Sequence, residues 1–309
     1  SCSMPWYWIL LIVLGSLFVL FAVFTIVLSI IFLSVLSHPK RVTREVAFRE
    51  GIKDGYFNKI EGMKREEFTL TMRDGYVIHL EKSIHPNSKG IVLFAHGYTW
   101  TREGMLKYAQ EFYEMGYSVI LYDERGHGDN KRVACTFGYN ESKDQNEICD
   151  YIRKEYGKEV KLGLLGESLG AATTLLTMGK RDDLSFVVAD CPYSSLNEFF
   201  VPLLKANKLP CFILPFSSFF CKLIHHYWFK DISPKDAIRE KKTPLLLIAG
   251  NNDNLIPCIE SQWIYDNKKE GIKELYFMEG ADHAMAYRQN PVKYREVLDA
   301  FLKRVEEEA

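Results

Sequence analysis

The stretch Lys161-Leu162-Gly163-Leu164-Leu165-Gly166-Glu167-Ser168-Leu169-Gly170-Ala171-Ala172 decides how the rest of the chain is read. Lys161 to Leu165 reads as a short buried strand and Ala171 to Met178 as a helix, so Ser168 falls on the corner between them. A serine held on so sharp a turn leaves no room for a side chain at Gly166 or Gly170, which gives both glycines a steric reason. Leu169 would present its backbone N–H at the start of the helix, where unpaired donors and the helix dipole favour an oxyanion. Alone the pattern is weak, because this glycine and serine content produces such a match by accident in roughly one chain in ten. Its meaning rests on what stands after the other strands.

Ile91 to Ala95 is an unbroken apolar run between Gly90 and Gly97, as expected of a strand buried on both faces of a sheet. His96-Gly97-Tyr98-Thr99-Trp100 follows, in the place from which a second oxyanion N–H would come, with Tyr98 the candidate donor; a turn that merely shapes the loop fits the same residues. Arg102 to Met115 reads as a helix and Ser118 to Tyr122 as another buried strand, followed by Asp123-Glu124-Arg125-Gly126-His127-Gly128. His127, between two glycines, is expected to be a loop anchor tied to Asp123 and Arg125 rather than a catalytic base. Asp144 to Tyr156 places Ile148, Tyr151, Ile152 and Tyr156 on one helical face. Phe186 to Ala189 is a strand ending in Asp190, a rival acid, although Pro192 nearby suggests a structural turn. Pro244 to Ala249 and Lys273 to Met278 are the last strands, and just past them stand Asp253 and His283. Strands alternating with helices call for a mostly parallel sheet covered on both sides, opened by an antiparallel hairpin around Asp74-Gly75, with Glu67 to Leu70 and Tyr76 to Leu80 as its arms. Asn290-Pro291 starts a closing helix that runs to about Glu307.

The chain has 309 residues, 47% hydrophobic and 26% charged, enough for one large core or two small ones. With 39 basic and 40 acidic residues the net charge is -1, so no basic excess argues for nucleic acid. The seven cysteines (Cys2, Cys135, Cys149, Cys191, Cys211, Cys221, Cys258) form no Cys-x-x-Cys pair, and no histidine cluster has zinc spacing. Neither a metal site nor a disulfide framework is indicated; free thiols lean towards a reducing compartment.

Ile9 to Leu36 is a charge-free run of about 28 residues where about 20 span a bilayer. Residues 1–37 therefore read as an N-terminal transmembrane anchor with Trp6, Tyr7 and Trp8 in one interface, in preference to a cleaved signal, which would want a basic start and a small-residue cleavage site. Lys40, Arg41 and Arg44 follow the run and nothing basic precedes it, so the positive-inside rule puts the C-terminal part in the cytoplasm of a single-pass cell-membrane protein. Residues 38–65, broken by Gly51, Gly55 and Gly62, read as a linker with a short helix, and 66–309 as the globular domain. Within it, about 194–243 interrupts the alternation and is rich in phenylalanine. This insertion reads as a helical cap, with Phe212, Phe216 and Phe219 expected to line an apolar pocket; packing onto the sheet, or a dip of some aromatics into the bilayer, fits the same composition.

From about Phe68 onward the chain resembles an α/β-hydrolase of the serine aminopeptidase-like group, which includes monoacylglycerol lipase-like and cinnamoyl-esterase-like members and membrane-anchored bacterial hydrolases. The residues that carry the likeness are His96-Gly97-Tyr98, Asp123 to Gly128, Gly166 to Ala171, Gly250 with Asp253, and Gly280-Ala281-Asp282-His283-Ala284. The resemblance implies an α/β-hydrolase fold with a helical cap, Ser168 as nucleophile, His283 as base and Asp253 as acid, in the Ser, Asp, His chain order of that fold. Tyr98 and Leu169 would supply the oxyanion N–H groups, and no metal or organic cofactor is implied. Three functions are weighed: a membrane-tethered hydrolase of carboxylic esters with apolar acyl groups, an aminopeptidase whose acidic amine-binding group would be Glu198, and a non-catalytic binding protein. The complete triad disfavours the last. The expected partners are a small-molecule or lipid-like ester and the membrane, not nucleic acid.

Overall fold

The computed structural model describes residues 3–309; Cys2 lies outside the described residues. Helices α1 (Trp6–Ser37) and α2 (Arg44–Lys53) precede a hairpin of β1 (Glu66–Thr71) and β2 (Val77–Ser83). β3 (Ile91–Ala95), α3 (Leu106–Glu114), β4 (Ser118–Tyr122), α4 (Tyr139–Tyr156), β5 (Leu162–Glu167), α5 (Leu169–Met178) and β6 (Phe186–Asp190) then alternate. The cap follows as α6 (Leu196–Ala206), α7 (Leu214–His225) and the short α8 (Pro234–Ala237). β7 (Leu245–Gly250), α9 (Ile259–Asn267), β8 (Lys273–Met278), α10 (Ala286–Gln289) and α11 (Pro291–Glu308) complete the chain.

The strands form one eight-stranded sheet in the order β1-β2-β4-β3-β5-β6-β7-β8. β1 and β2 pair antiparallel, as do β2 and β4, while every pairing from β4 through β8 is parallel. The unbroken apolar runs thus occupy the interior of the sheet, where both faces must be covered. On one face Phe94, Leu165, Val188 and Ile248 pack with Phe112 of α3 and Leu298 and Phe301 of α11. On the other, Leu93, Leu164, Val187 and Leu247 pack with Ile148 of α4 and Leu175 of α5. Register aligns Ala95 with Gly166, Glu167 with Asp190 and Gly250 with Met278, so the loops after five parallel strands open at one edge, where open α/β sheets bind ligands.

A third apolar cluster holds the cap: Phe32 and Leu33 of α1 pack with Phe137, Tyr193, Phe200, Ile213 and Tyr227. Helix α4 begins five residues before the expected Asp144, because Glu141 accepts hydrogen bonds from the Gly138 N–H (2.9 Å) and the Thr136 hydroxyl (2.7 Å) and so caps a start that polar composition hides. Residues 38–65 pack on the body. Arg44 pairs with Glu103 at 2.6 Å, Asp129 at 2.8 Å and Glu67 at 3.0 Å, and Phe48 stacks on Phe57 with ring centroids 5.1 Å apart. The described cysteines are free thiols, with Cys135, Cys149, Cys191 and Cys221 buried.

Candidate active site

Between β5 and α5 the chain turns through Ser168 at φ 57° and ψ -114°. Positive φ in a residue that carries a Cβ is strained backbone held in place by its surroundings. Those surroundings are main chain: a Cβ on Gly166 would come within 2.1 Å of the Gly170 carbonyl oxygen, and one on Gly170 within 2.0 Å of the Ala95 oxygen. Only glycine fits at either position, as the sequence pattern requires.

The Ser168 Oγ lies 2.9 Å from His283 Nε2, and His283 Nδ1 lies 2.7 Å from Asp253 Oδ2. The other carboxylate oxygen, Oδ1, accepts the backbone N–H groups of Leu255 and Ile256, each at 2.9 Å. The Asp253 side chain is fully buried, whereas His283 keeps 22% of its side-chain surface exposed. Because an ionised carboxylate only accepts, the Nδ1 proton belongs on His283 and Nε2 is left to accept from Ser168. Hydroxyl, imidazole and carboxylate from three separate loops thus make one hydrogen-bonded chain, able to take a proton from a hydroxyl as it attacks an acyl carbon. Cys191 Sγ comes within 4.8 Å of donor atoms of Asp253 and His283. These three could hold a metal only by giving up the His–Asp hydrogen bond.

The turn after β3 lies against the elbow: a Cβ on Gly97 would stand 3.6 Å from Ser168 Cβ and 3.6 Å from the Glu167 carbonyl oxygen. That puts the Tyr98 backbone next to the first turn of α5, whose leading N–H groups have no intrahelical acceptor. Two buried imidazoles fix the turn. His127 Nε2 accepts the Thr99 N–H at 3.1 Å while Nδ1 donates to the Arg125 carbonyl at 2.9 Å, and His96 Nε2 accepts the Glu124 N–H at 2.9 Å. Burial lowers both pKa values, that of His96 to about 4, so both rings are neutral acceptors at neutral pH. His127 is the loop anchor expected, but Thr99 takes the place foreseen for Asp123, which instead accepts from Arg102 Nη1 at 2.7 Å. From the other side the Tyr98 hydroxyl donates to the Leu36 carbonyl at the end of α1, and the Val42 N–H donates to the Thr99 carbonyl at 2.9 Å.

The rival acid is engaged elsewhere. Asp190 is buried and accepts from the Tyr294 hydroxyl at 2.7 Å and the Tyr108 hydroxyl at 3.4 Å. Burial, with the charge of Glu167 nearby, pushes its pKa up to about 7. Glu198 is exposed on α6 and opens onto a separate depression shared with Lys235, Trp263 and Asp266, so it does not face Ser168.

Ser168 and His283 lie in a cleft of about 670 Å³, within the range of small-molecule sites. Its apolar lining comes from Ala47, Tyr56 and Phe57 of the α2 region, with Tyr98, Trp100, Phe199, Leu255 and Met285. Among these stand polar residues of the same lining: Glu50, Lys53, Asp54, Glu103, Lys107, Glu167 and Arg288. Lys107 is buried 3.2 Å from Glu167, its ammonium 4.9 Å from each of the Tyr56 and Tyr108 ring centroids. The expectation that Phe212, Phe216 and Phe219 line this pocket is wrong. All three project outward from the start and outer face of α7, each 43–47% exposed, because that helix turns Leu214, Ser217 and Cys221 inward. The wall supplied by 47–57 had no signal in the sequence beyond the apolar spacing of Phe48, Tyr56 and Phe57.

A family model described as serine aminopeptidase, S33, matches residues 86–228. The chain is 31% identical over 286 residues to the uncharacterised protein YqkD of Bacillus subtilis, covering 90% of this chain and 92% of that one. It is also similar to a putative alpha/beta hydrolase of Acanthamoeba polyphaga mimivirus, 22% identical over 80% of this chain and 88% of that one. Among solved structures, the Pyrococcus furiosus esterase Pf2001 superposes with a TM-score of 0.64 at 25% identity, over 78% of this chain and 93% of the esterase. With an eight-stranded, mostly parallel sheet and an elbow serine at the C-terminal edge of its parallel strands, the chain belongs to the α/β-hydrolase superfamily, in the group described by the S33 serine aminopeptidase family.

Proposed function

We propose that the protein is a membrane-anchored serine hydrolase that cleaves carboxylic esters with apolar acyl groups through an acyl-enzyme. The observation that carries this reading is the hydrogen-bonded chain from Ser168 through His283 to Asp253, whose first two members open into a cleft lined in part by apolar and aromatic side chains. His283 takes the Ser168 proton as the oxygen attacks the ester carbon and returns it to the leaving alcohol; Asp253 holds the imidazole and stabilises the imidazolium. Water, activated the same way, then releases the acid. The N–H groups of Tyr98 and Leu169 receive the oxyanion, each worth about 2.7–4 kcal/mol by analogy with measured donors. The esterase named among the structural neighbours supports an ester substrate.

Anchoring rests on α1, a 32-residue helix whose 18-residue apolar window has a mean hydropathy of 3.0 and stands mostly clear of the body. Lys40, Arg41 and Arg44 after it favour a cytoplasmic hydrolase domain. An aminopeptidase is the second reading, favoured by the family description and by Glu50 and Asp54 in the cleft, which could meet an α-ammonium group where Glu198 cannot. The test is fluorophosphonate labelling of wild type and Ser168→Ala, followed by p-nitrophenyl esters of rising acyl length against aminoacyl-nitroanilides. Labelling lost in the variant and kcat/KM rising with acyl length support the ester reading; undiminished labelling of Ser168→Ala rejects the nucleophile, and preferred nitroanilide cleavage rejects the ester.

A further inference from the structure

Helix α7 has an apolar face that none of the described residues covers. Phe216, Phe219, Leu223 and Ile224 are between 46 and 59% exposed, and Phe212, just before the helix at the edge shared with α1, is 43% exposed. The opposite face is seated on α1. Ser217 Oγ donates to the Ser29 carbonyl at 2.8 Å, the rings of Phe21 and Phe212 are 5.5 Å apart, and those of His38 and His225 are 6.3 Å apart. The two helices therefore run in the same direction, with Phe212 level with Phe21 and His225 level with His38. The contact stripe on α1 is Thr25, Ser29, Phe32, Leu33 and Ser37. Small hydroxyl residues that hydrogen-bond between closely packed helices are characteristic of helix pairs inside a membrane.

The length of α1 gives the depth. Its 32 residues extend about 48 Å, against about 30 Å of hydrocarbon in a bilayer. With Trp6 to Trp8 at the far interface, the near boundary of an upright helix falls at about Leu28, which leaves Phe21 and Phe212 about 10 Å inside the acyl layer. Apolar surface does not stop there. Ile31 and Val35 of α1 are more than half exposed beyond that point, alongside the uncovered face of α7. A tilted α1 brings both into lipid, since tilt is how a span longer than the bilayer is accommodated. The charges agree: the stretch from Phe199 to Lys230 holds Lys205, Lys208, Lys222 and Lys230 and no acidic residue, as suits anionic headgroups.

We infer that α7, led by Phe212, is a second membrane-inserted element, so that the cap is seated in the bilayer that α1 spans. The inference rests on the reading of α1 as a span. It accounts for the cap residues Phe212, Phe216 and Phe219, which turn away from the cleft. It also puts the cleft close to the lipid surface, because Phe199 at the cleft packs on Phe200, and Phe200 packs edge-on against Phe32 of α1 at 5.5 Å.

The test is photocrosslinking of the full chain in vesicles of phosphatidylcholine and phosphatidylglycerol, with benzoylphenylalanine placed singly at Phe18, Phe216, Phe219 and Val292. Phe18 reports the span, and Val292, 70% exposed on α11, reports random lipid contact. Acyl-chain adducts at Phe18, Phe216 and Phe219, with none at Val292, are expected. Adducts at Phe18 but none at Phe216 and Phe219, or a crosslink from Phe216 to a second protein chain, overturn the insertion of α7 and leave the anchor standing. No adduct at Phe18 removes the anchor and this inference together. None of these outcomes depends on hydrolytic activity.

Discussion

Replacing Asp253 with asparagine is an isosteric change whose consequence the hydrogen bonds around it dictate. Asp253 Oδ1 accepts two backbone N–H groups, from Leu255 and Ile256, each at 2.9 Å. In the variant the amide oxygen must stay there, since an amide NH₂ facing two donors would leave three buried hydrogen-bonding groups unsatisfied. The NH₂ then takes the place of Oδ2, 2.7 Å from His283 Nδ1, and donates to it. That forces the proton onto Nε2, which can no longer accept from Ser168. The wrong tautomer costs a triad about 10⁴ in turnover, or about 5.4 kcal/mol of barrier. The assay is kcat on p-nitrophenyl butyrate for the full chain in detergent or vesicles, with thermal melting as the control for folding. A loss of less than tenfold in a variant that melts like wild type refutes the assignment of Asp253 and the tautomer argument with it.

Four further outcomes are expected. Asp190→Asn should leave kcat nearly intact but change the pH dependence of stability. The carboxyl has a pKa of about 7 when folded against 3.8 for the ordinary side chain, so wild type loses several kcal/mol as pH rises from about 4 through 7; the variant should melt higher relative to wild type at pH 8 than at pH 5, and equal differences at both would refute this. Tyr98→Phe removes the hydroxyl that holds the turn after β3, the proposed oxyanion donor, to the Leu36 carbonyl, costing about 1–3 kcal/mol; a lowered kcat at unchanged KM is expected, and an unchanged kcat would show that the α1 end does not position the turn. Gly170→Ala drives a Cβ to 2.0 Å from the Ala95 oxygen, so the protein should fail to fold or lose more than about 3 kcal/mol by chemical denaturation. Arg44→Ala leaves Glu103 buried without its 2.6 Å partner and loosens the α2 wall; the melting temperature should fall and KM for long acyl esters should rise, and an unaffected KM would detach α2 from substrate binding.

Much of the fold was legible locally. Continuous apolar runs such as Ile91 to Ala95 and Leu162 to Leu165 can be buried on both faces only inside a parallel sheet, and Asp74-Gly75 specifies its hairpin within a few residues. Gly166 and Gly170 mark the elbow because the steric demand lies between near neighbours in the chain. Ser168, Asp253 and His283 could be chosen as triad candidates because each stands just past a strand, and the parallel sheet brings those ends to one edge. The tertiary structure alone places His283 between the other two at hydrogen-bond distance. It alone makes residues 47–57 a wall of the cleft, since α2 is docked by Arg44 through partners 23 to 85 residues away, and no local pattern encodes such pairs. The same holds for the cap. Its composition announces many phenylalanines, but which of them face the cleft depends on how α7 is rotated, and the backbone oxygen of Ser29 on α1 sets that rotation through Ser217.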